Sequence, residues 1–413
     1  MTEENKNVKK FPNLRFPGFE NEWEQITLGN CAYSFEYGMN ASAIKFDGQN
    51  KYIRITDIDE SSSKYKPDFP VSPNGQLLDK YLVSENDILF ARTGASTGKS
   101  YLYHKDDGKL YFAGFLIRVK IKEEFNSYFV FIQTKTIQYY KWVQLMSMRS
   151  GQPGINSQEY ASYSFNIPSK NEQNKISAFL SLIDERILSQ KKIIEGLSLQ
   201  KISIVKKLFE NKIKFKTDNK THSWERKKLS EISEEHLHKN PNNKYNEVFS
   251  VAKHKGVINQ IEHLGRSFSA KEILHYKLVC PGDLVYTKSP TSDFPFGIIK
   301  QNRTGRIGVV SPLYCVFTPK TYALGYLLHE YFNSSVNTFN YLNPLVQKGA
   351  KNTMNINNEI FLNGASILLP MDEEEQKKIY EILLCLDAKI NLETELLTQY
   401  ENQKKYLLQN LFV

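Results

Sequence analysis

A glycine-rich segment, GASTGKS at residues 94–100, is the stretch of the sequence that most resembles a cofactor-binding motif. A phosphate-binding P-loop has the spacing Gly-x4-Gly-Lys-Ser/Thr and leads into a helix whose free amides hold the phosphates. Here only three residues separate Gly94 from Gly98, and the strand-like sequence YLYH follows. We therefore interpret the segment as a glycine-rich turn between two strands that exposes polar side chains.

Other signatures of enzymes that act on nucleic acids are also missing from the sequence. Asn343-Pro344-Leu345 lacks the second proline of an Asn-Pro-Pro-aromatic methyltransferase site, and no nucleophile elbow, zinc-protease or nuclease signature occurs. The four cysteines form no Cys-x-x-Cys pair: Cys31, Cys280, Cys315 and Cys385. The eight histidines show no metal-ligand spacing, and we expect His236 and His238 to be solvated in a polar loop. The sequence thus predicts a chain with no catalytic residue and no metal site.

The composition suits a polyanion partner, of which nucleic acid is the commonest, although modest basicity usually reflects only solubility. The 413 residues are enough for two or three domains, and they carry a net charge of +9, a pI near 9.0 and 13% aromatic residues. The N-terminal sequence MTEENKNVKK has no apolar segment, and no apolar run approaches the length that spans a membrane. We expect a cytoplasmic protein with no membrane partner.

Two segments with apolar residues at alternating spacings of four and three predict long helices that pack along another helix. The first apolar seam runs from Ile176 to Leu208, and the second runs from Ile379 to Leu411. The second segment repeats the first, including its polar interruptions: Gln190 corresponds to Glu393, and Lys201 corresponds to Lys404. Each helix is preceded by a proline and begins with Glu-Gln, as at Pro168 with Glu172-Gln173 and Pro370 with Glu375-Gln376.

The segments between these helices repeat in outline as well. YIRITD (52–57) matches VFSVAK (248–253), and VSENDILFARTG (83–94) matches VCPGDLVYTKSP (279–290). We predict an α+β fold in which two globules of mixed strands and helices alternate with two long helices packed as an antiparallel coiled coil, through an internal tandem duplication. The predicted boundaries are an extended N-terminal segment at 1–22, a first globule at 23–170, a central helix at 171–211, a linker at 212–223, a second globule at 224–370 and a C-terminal helix at 371–413.

Polar residues on an apolar seam are costly unless they meet each other, which predicts one register for the helix pair. That register places Lys201 opposite Glu393, Gln190 opposite Lys404, and Leu197 opposite Leu397. In the alternative, the long charged side chains extend to solvent and do not determine the register of the helix pair. A seam of about 33 residues at 1.5 Å per residue would hold the globules about 50 Å apart, which exceeds one DNA turn of about 34–36 Å.

The sequence resembles the DNA-specificity subunit of type I restriction–modification systems. The resemblance rests on FPNLRFPGFENEWE, YIRITDID, NDILFARTGASTGKS and the proline and Glu-Gln before each long helix, in this order and repeated in outline. It implies two target-recognition domains that each read one half of a split asymmetric sequence in double-stranded DNA. It also implies two methyltransferase subunits and restriction/translocase subunits, with S-adenosylmethionine, ATP and Mg on those partner chains and no cofactor on this one. The second globule departs from the pattern, because KSPTSDFPFG replaces the glycine-rich RTGASTGK.

Base readout in the major groove requires loop side chains that donate or accept hydrogen bonds. In the first globule we select Arg54, Arg92, Thr93, Ser96, Lys99, Arg149, Ser150 and Gln152. In the second we select Lys253, His254, Lys255, Arg266, Lys288, Ser289, Lys348, Lys351 and Asn352. Each could instead be a solvated residue or a phosphate contact without sequence information. Two other functions remain open: a coiled-coil scaffold that binds nucleic acid without specificity, and a self-contained DNA-modifying enzyme with an unrecognised site.

Overall fold

The computed structural model forms two compact units. It describes residues 11–66, 68–148, 151–217, 220–221, 223–266, 269, 272–348 and 354–413. Unit 1 comprises Met1–Lys191 with Glu395–Val413, and unit 2 comprises Lys192–Thr394. The boundary between the units therefore falls inside both long helices, so that each unit contains a segment of each helix. Four of the selected residues lie outside the described part of the chain: Arg149, Ser150, Lys351 and Asn352.

Unit 1 consists of short strands and helices, the first part of one long helix and the last part of the other. The strands are β1 (Glu24–Thr27), β2 (Ala32–Tyr37), β3 (Ser42–Lys45), β4 (Lys51–Ile53), β5 (Val71–Asn74), β6 (Asp87–Ala91), β7 (Ser100–Leu102), β8 (Leu110–Phe112), β9 (Leu116–Ile121) and β10 (Ser164–Ile167). The helices are α1 (Leu28–Cys31), α2 (Ser127–Gln133), α3 (Ile137–Met146), α4 (Ser157–Ala161) and the long α5 (Lys170–Phe209).

Unit 2 has a similar series of elements and includes most of the second long helix. Its strands are β11 (Lys216–Thr217), β12 (Lys220–Thr221), β13 (Glu225–Lys227), β14 (Ser233–Glu235), β15 (Phe249–Ala252), β16 (Gly256–Asn259), β17 (Lys277–Val279), β18 (Leu284–Thr287), β19 (Ile298–Gln301), β20 (Gly308–Val310), β21 (Cys315–Pro319), β22 (Gln347–Lys348), β23 (Met354–Asn355) and β24 (Ile367–Leu369). The helices are α6 (Leu229–Ile232), α7 (Gln260–Leu264), α8 (Tyr322–Asn333), α9 (Ser335–Leu342), α10 (Asn358–Leu362) and the long α11 (Glu373–Asn410).

A four-stranded antiparallel sheet lies at the centre of unit 1, in the order β2-β9-β6-β7. Successive side chains of a strand point to opposite faces of the sheet. Accordingly, Ile88 and Phe90 of β6 belong to one apolar core, while Leu89 and Ala91 belong to another. The sheet is thus buried on both faces, which explains why β6 is apolar without alternation.

The central sheet of unit 2 has the corresponding order, β14-β21-β18-β19, and is also antiparallel. A second similarity concerns the strand that carries the YIRITD match. Tyr52 pairs in parallel with Tyr111, and Val248 forms a parallel bridge with Val309. Both matches read from the sequence therefore agree with the strand pairing of the two units.

The Glu-Gln at the start of each long helix fixes the helix to its own unit. Gln173 Nε2 donates to the carbonyl of Pro168, and Gln376 Nε2 donates to the carbonyl of Pro370, each at 2.9 Å. All four polar side chains of the two Glu-Gln pairs are buried. Because a buried polar group must be hydrogen-bonded, this short sequence specifies where each helix begins.

The two buried glutamates have different partners. Glu172 accepts two hydrogen bonds from Arg15, both at 2.8 Å, which fixes the N-terminal segment of unit 1 to α5. Glu375 instead accepts from the indole nitrogen of Trp224 at 3.0 Å. The same residue type at equivalent positions therefore holds the chain segment that precedes each globule.

Within each unit, the long-helix segments pack together through apolar residues of the predicted seams. In unit 1, Ile176 and Leu180 share a core with Leu407 and Leu411. In unit 2, the corresponding core includes Leu208, Ile379 and Leu383 of the seams, together with Val205, which lies outside the predicted seam. Within the described residues, no helix is both long enough and apolar enough to cross a membrane.

The ion pairs of the long helices differ from the predicted register. Lys201 Nζ lies 2.7 Å from Asp387 and 2.8 Å from Glu330, not opposite Glu393 as predicted. Lys404 Nζ lies 2.5 Å from Asp184 Oδ1, where the prediction paired Lys404 with Gln190. For Lys404, a full carboxylate is a better partner than the amide of Gln190, which favours Asp184. For Lys201, two carboxylates are within 2.8 Å, where the prediction supplied one.

Candidate nucleic-acid interface

The GASTGKS segment forms a loop between two strands of the central sheet of unit 1, as its sequence predicted. β6 ends at Ala91, and β7 begins at Ser100. Gly98 has φ +88°, and a Cβ there would lie 2.6 Å from Val143 Cγ1. The hydroxyl of Tyr160 donates to the Ala91 carbonyl at 2.7 Å and accepts from the Gly98 amide at 3.1 Å. These buried contacts fix both ends of the loop.

A second loop of unit 1 packs against this one. The amide of Gly94 donates to the Pro153 carbonyl at 2.9 Å, and Thr93 forms an antiparallel bridge with Gly154. The Gln152 side chain reaches the same turn, where its Nε2 lies 3.2 Å from the position of a Cβ on Gly94. The structure therefore brings together four of the selected residues: Arg92, Thr93, Ser96 and Gln152.

Arg92 lies at the carboxyl end of β6 and stacks on an aromatic ring. Its guanidinium carbon is 4.9 Å from the centre of the Tyr37 ring, and Tyr37 is 42% exposed. Phe115, whose carbonyl accepts from the Arg92 amide at 3.1 Å, is 61% exposed. Exposed aromatic rings beside an arginine are suited to a nucleic-acid surface. The sequence analysis missed Tyr37 and Phe115, because only tertiary structure places them beside the loop.

Two other selected cations of unit 1 are already paired with carboxylates. Arg54 donates from Nε and Nη2 to the two oxygens of Asp57, both at 2.8 Å. Lys99 Nζ lies 3.2 Å from Glu60 and 3.4 Å from the Ile58 carbonyl. Both side chains thus stabilise the segment between β4 and β5, and DNA contact by them stays a prediction.

In unit 2, Lys288 and Ser289 follow β18 just as Arg92 and Thr93 follow β6. Lys288 is partly buried, and burial lowers its pKa. The loop closes at Gly297, which has φ +104° and would place a Cβ 2.0 Å from the Thr287 carbonyl oxygen. The loop that replaces the glycine-rich segment therefore has its own fixed geometry.

The hairpin turn between β15 and β16 reaches the Lys288 loop. Lys253 in this turn forms an ion pair with Asp293 of the loop, while His254 and Lys255 are exposed. Arg266 is exposed after α7, and Lys348 lies in β22. The structure thus groups Lys253, His254, Lys255, Lys288 and Ser289.

A groove with a volume of about 1160 Å³ lies within unit 2 beside the Lys253 turn. Its lining includes seven lysines and arginines: Lys201, Lys206, Arg226, Lys253, Lys255, Lys300 and Arg303. Glu330 and Asp387 at its base are held by Lys201. Burial lowers the pKa of Lys300 to about 8, a residue that the sequence analysis did not select.

Asp387 is the centre of the charge network at the base of the groove. It accepts from Lys201 at 2.7 Å, from the Tyr326 hydroxyl at 2.6 Å and from Arg303 at 2.8 Å. Burial alone would raise the pKa of this carboxyl, but the three donors lower it below its usual value. The network therefore connects α8, α11 and α5. It also pairs Lys201 and Arg303 with Asp387, so that these two cations are not free to bind a ligand.

Comparison with known proteins agrees with this architecture. Residues 20–199 match the family described as the type I restriction modification DNA specificity domain. The crystal structure of the type I restriction–modification S subunit from M. genitalium is similar, with 14% identity, a TM-score of 0.59, and 98% of this chain and 99% of that chain covered. A structure concerned with complex assembly and conformational transition of the type I R-M system is also similar, with 15% identity, a TM-score of 0.52, and 96% and 98% covered. At such identities the structures show a shared fold. Residues 20–199 are thus similar to the type I restriction modification DNA specificity domain, and the shared fold extends over almost the whole chain.

Proposed function

We propose that this chain is the DNA-specificity subunit of a type I restriction–modification complex and reads a bipartite, asymmetric target. Unit 1 reads one half-site, and unit 2 reads the other. One observation carries the proposal. The corresponding central strands β6 and β18 are each followed directly by a cation, Arg92 and Lys288, at the start of a loop with fixed geometry. The loops differ in sequence, which suits two domains that read different bases.

Within each unit, we assign different tasks to the grouped residues. Arginine can bond both acceptors of guanine in the major groove, so Arg92 on its Tyr37 platform would read a base edge. Exposed cations such as Lys255 would contact phosphates, which fixes position without reading sequence. Discrimination between bases therefore depends on the two loops after β6 and β18.

The proposed complex also assigns the chemistry to other chains. The chain acts in the cytoplasm with two methyltransferase subunits and with restriction/translocase subunits. S-adenosylmethionine, ATP and Mg bind to those partners, and this chain has no catalytic role. The long helices pair as an antiparallel coiled coil, a proposal supported within each unit by the ion pairs of Lys404 with Asp184 and of Lys201 with Asp387.

Methylation mapping tests this function. The chain is co-expressed with its methyltransferase subunits in a host free of other adenine methylation, and methylated adenines are mapped across the genome. We expect one split motif that appears only when this chain is present. Methylation without a sequence motif would support the scaffold alternative, and modification by the purified chain alone would support a self-contained enzyme.

A further inference from the structure

Unit 1 has a buried charge network at the beginning of β6. Asp87 is fully buried, and its Oδ2 lies 3.8 Å from Arg118 Nη1 of β9. Arg118 also forms an ion pair with Glu36 of β2. The amide and the hydroxyl of Ser84 donate to Asp87 at 2.8 Å and 3.1 Å. One guanidinium thus compensates two carboxylates in this network.

Strand pairing identifies the corresponding residues of unit 2. The sequence match aligns Ser84 with Cys280 and Asp87 with Asp283. The same match aligns Leu89 with Val285. Leu89 pairs with Arg118 in unit 1, and Val285 pairs with Val316 in unit 2, so Val316 occupies the position of the arginine. In unit 1, Glu36 lies opposite Arg118 on the neighbouring strand. In unit 2, the residue at the position of Glu36 is His236, whose amide donates to the Val316 carbonyl at 2.7 Å.

Unit 2 therefore retains a buried carboxylate without the arginine that compensates it in unit 1. The residues that surround the vacated position are a histidine, a cysteine and an aspartate, with one potential ligand atom from each lying within 4.8 Å of the others. Asp283 is only 2% exposed, and His236 Nδ1 is buried with no hydrogen-bond partner in the described part of the chain. This arrangement differs from the expectation that His236 is solvated.

We propose that His236, Cys280 and Asp283 bind a zinc-type divalent metal ion, which takes the place of the Arg118 guanidinium. Imidazole nitrogen, thiolate sulfur and carboxylate oxygen are all zinc ligands, with bond lengths of about 2.0–2.3 Å. Tetrahedral ligands at those bond lengths are separated by roughly 3.5 Å, so the three side chains need to close by about 1 Å. Cys280 binds as the thiolate and releases its proton to solvent, and water completes the coordination.

Neighbouring groups already orient two of the ligands. Asp283 Oδ1 accepts from the Thr318 hydroxyl and Oδ2 accepts from the Cys280 amide, both at 2.7 Å. A bound cation would stabilise the thiolate of Cys280 and the carboxylate of Asp283. The ion would join the end of β14 to the turn before β18, the strand that Lys288 follows.

Cobalt titration of the metal-free full-length chain in its complex tests the site. Co²⁺ bound through a thiolate gives a sulfur-to-metal charge-transfer absorption, and we expect it to saturate at about one equivalent per chain. Cys280→Ser, which introduces the serine that unit 1 has at this position, should abolish the absorption. Cys385→Ser is the matched control, because Cys385 is exposed and remote in sequence, and it should leave the absorption unchanged.

A second variant separates metal binding from a general folding defect. Thr318→Val removes a hydrogen bond to Asp283 but no ligand, and we expect about 10–100-fold weaker Co²⁺ binding with the absorption retained at saturation. Circular dichroism checks that each variant is folded. Folded wild-type complex without a charge-transfer absorption would overturn the proposal, as would an absorption that survives Cys280→Ser or disappears with Cys385→Ser.

Discussion

Among single residues, the immediate partners decide which cations are available to nucleic acid. Arg54 and Lys99 are engaged by Asp57 and Glu60. Arg92 instead stacks on Tyr37 and, within the described residues, has no carboxylate partner. Because pairing with a carboxylate uses the donors that a base or phosphate would accept, we propose that Arg92, among the described arginines of unit 1, contacts DNA.

We predict that Arg92→Ala weakens discrimination at one half-site and leaves the other unchanged. The loss of a bidentate base contact should reduce discrimination by about 1–3 kcal/mol. Competition binding of the complex with DNA that carries substitutions in one half-site measures the effect. Arg186→Ala is a matched control, since Arg186 also stacks on a tyrosine, Tyr400, but on the long helices. Uniform weakening on every DNA would show that Arg92 contacts phosphate only.

A second residue-scale prediction concerns Lys135, whose pKa is lowered to about 7, chiefly by burial. Its Nζ donates to the Ser63 and Ser100 hydroxyls at 2.7 Å. Between pH 7 and the unfolded-state pKa near 10.5, the unfolded chain binds more protons at this residue than the folded chain does. The contribution of Lys135 to stability should therefore rise with pH across that window, by at most about 1.4 kcal/mol per pH unit.

Replacement of Lys135 by methionine should remove this rise. Denaturant unfolding of wild type and Lys135→Met from pH 7 to pH 10 gives the difference in slope. Lys141→Met is the control, because Lys141 is exposed on the neighbouring helix α3. Identical pH dependence of wild type and Lys135→Met would show that Lys135 keeps its ordinary pKa in the folded protein.

At the scale of elements, equivalent ion pairs connect the long helices in both units. Lys201 corresponds to Lys404, and Asp387 corresponds to Asp184. In unit 2 the lysine lies on α5 and the aspartate on α11, and in unit 1 the lysine lies on α11 and the aspartate on α5. A tyrosine hydroxyl donates to each aspartate, Tyr326 at 2.6 Å and Tyr128 at 2.7 Å. The repeated pair specifies how the helices align within each unit.

We predict that Lys201 and Asp387 are energetically coupled and that Lys201 and Glu393 are not. In a double-mutant cycle, Lys201→Met with Asp387→Leu should give an interaction energy of about 0.5–3 kcal/mol. The control cycle, Lys201→Met with Glu393→Leu, should be additive within about 0.5 kcal/mol. Urea unfolding supplies the four stabilities for each cycle. Stronger coupling to Glu393 than to Asp387 would restore the register predicted from the seams.

The sequence was sufficient to locate the long helices because a repeated apolar period extends over many turns. Predicted at 171–211 and 371–413, they occupy Lys170–Phe209 and Glu373–Asn410. The match of 83–94 with 279–290 also held, since β6 and β18 are buried on both faces and need similar apolar residues.

Features that depend on tertiary neighbours could not be predicted from the sequence in the same way. The helix register was predicted from polar residues on the seam, but Asp184 and Asp387 each lie one residue beyond it, after Ile183 and Leu386. The two aspartates lie at equivalent positions of the repeated helices, which could have identified them, but the prediction considered only residues on the seam itself. The platform under Arg92 comes from β2, distant in sequence, and no local pattern identifies it.

For the whole molecule, we propose that the two units, which share the order of their central strands, read two different half-sites. The units share the order of their central strands, while the loops after β6 and β18 differ in sequence and geometry. Shared strands keep a cation at the same place in each unit, and different loops change what surrounds it. Changes in one loop should therefore alter one half of the target and leave the other half intact.

The most direct test compares methylation motifs after matched changes in the two loops. Complexes with wild type, Arg92→Ala or Lys288→Ala are expressed separately, and methylated adenines are mapped in each case. We predict that Arg92→Ala relaxes one half of the split motif, that Lys288→Ala relaxes the other half, and that the number of bases between the halves stays constant. Relaxation of the same half by both variants, or of both halves by either one, would contradict the claim.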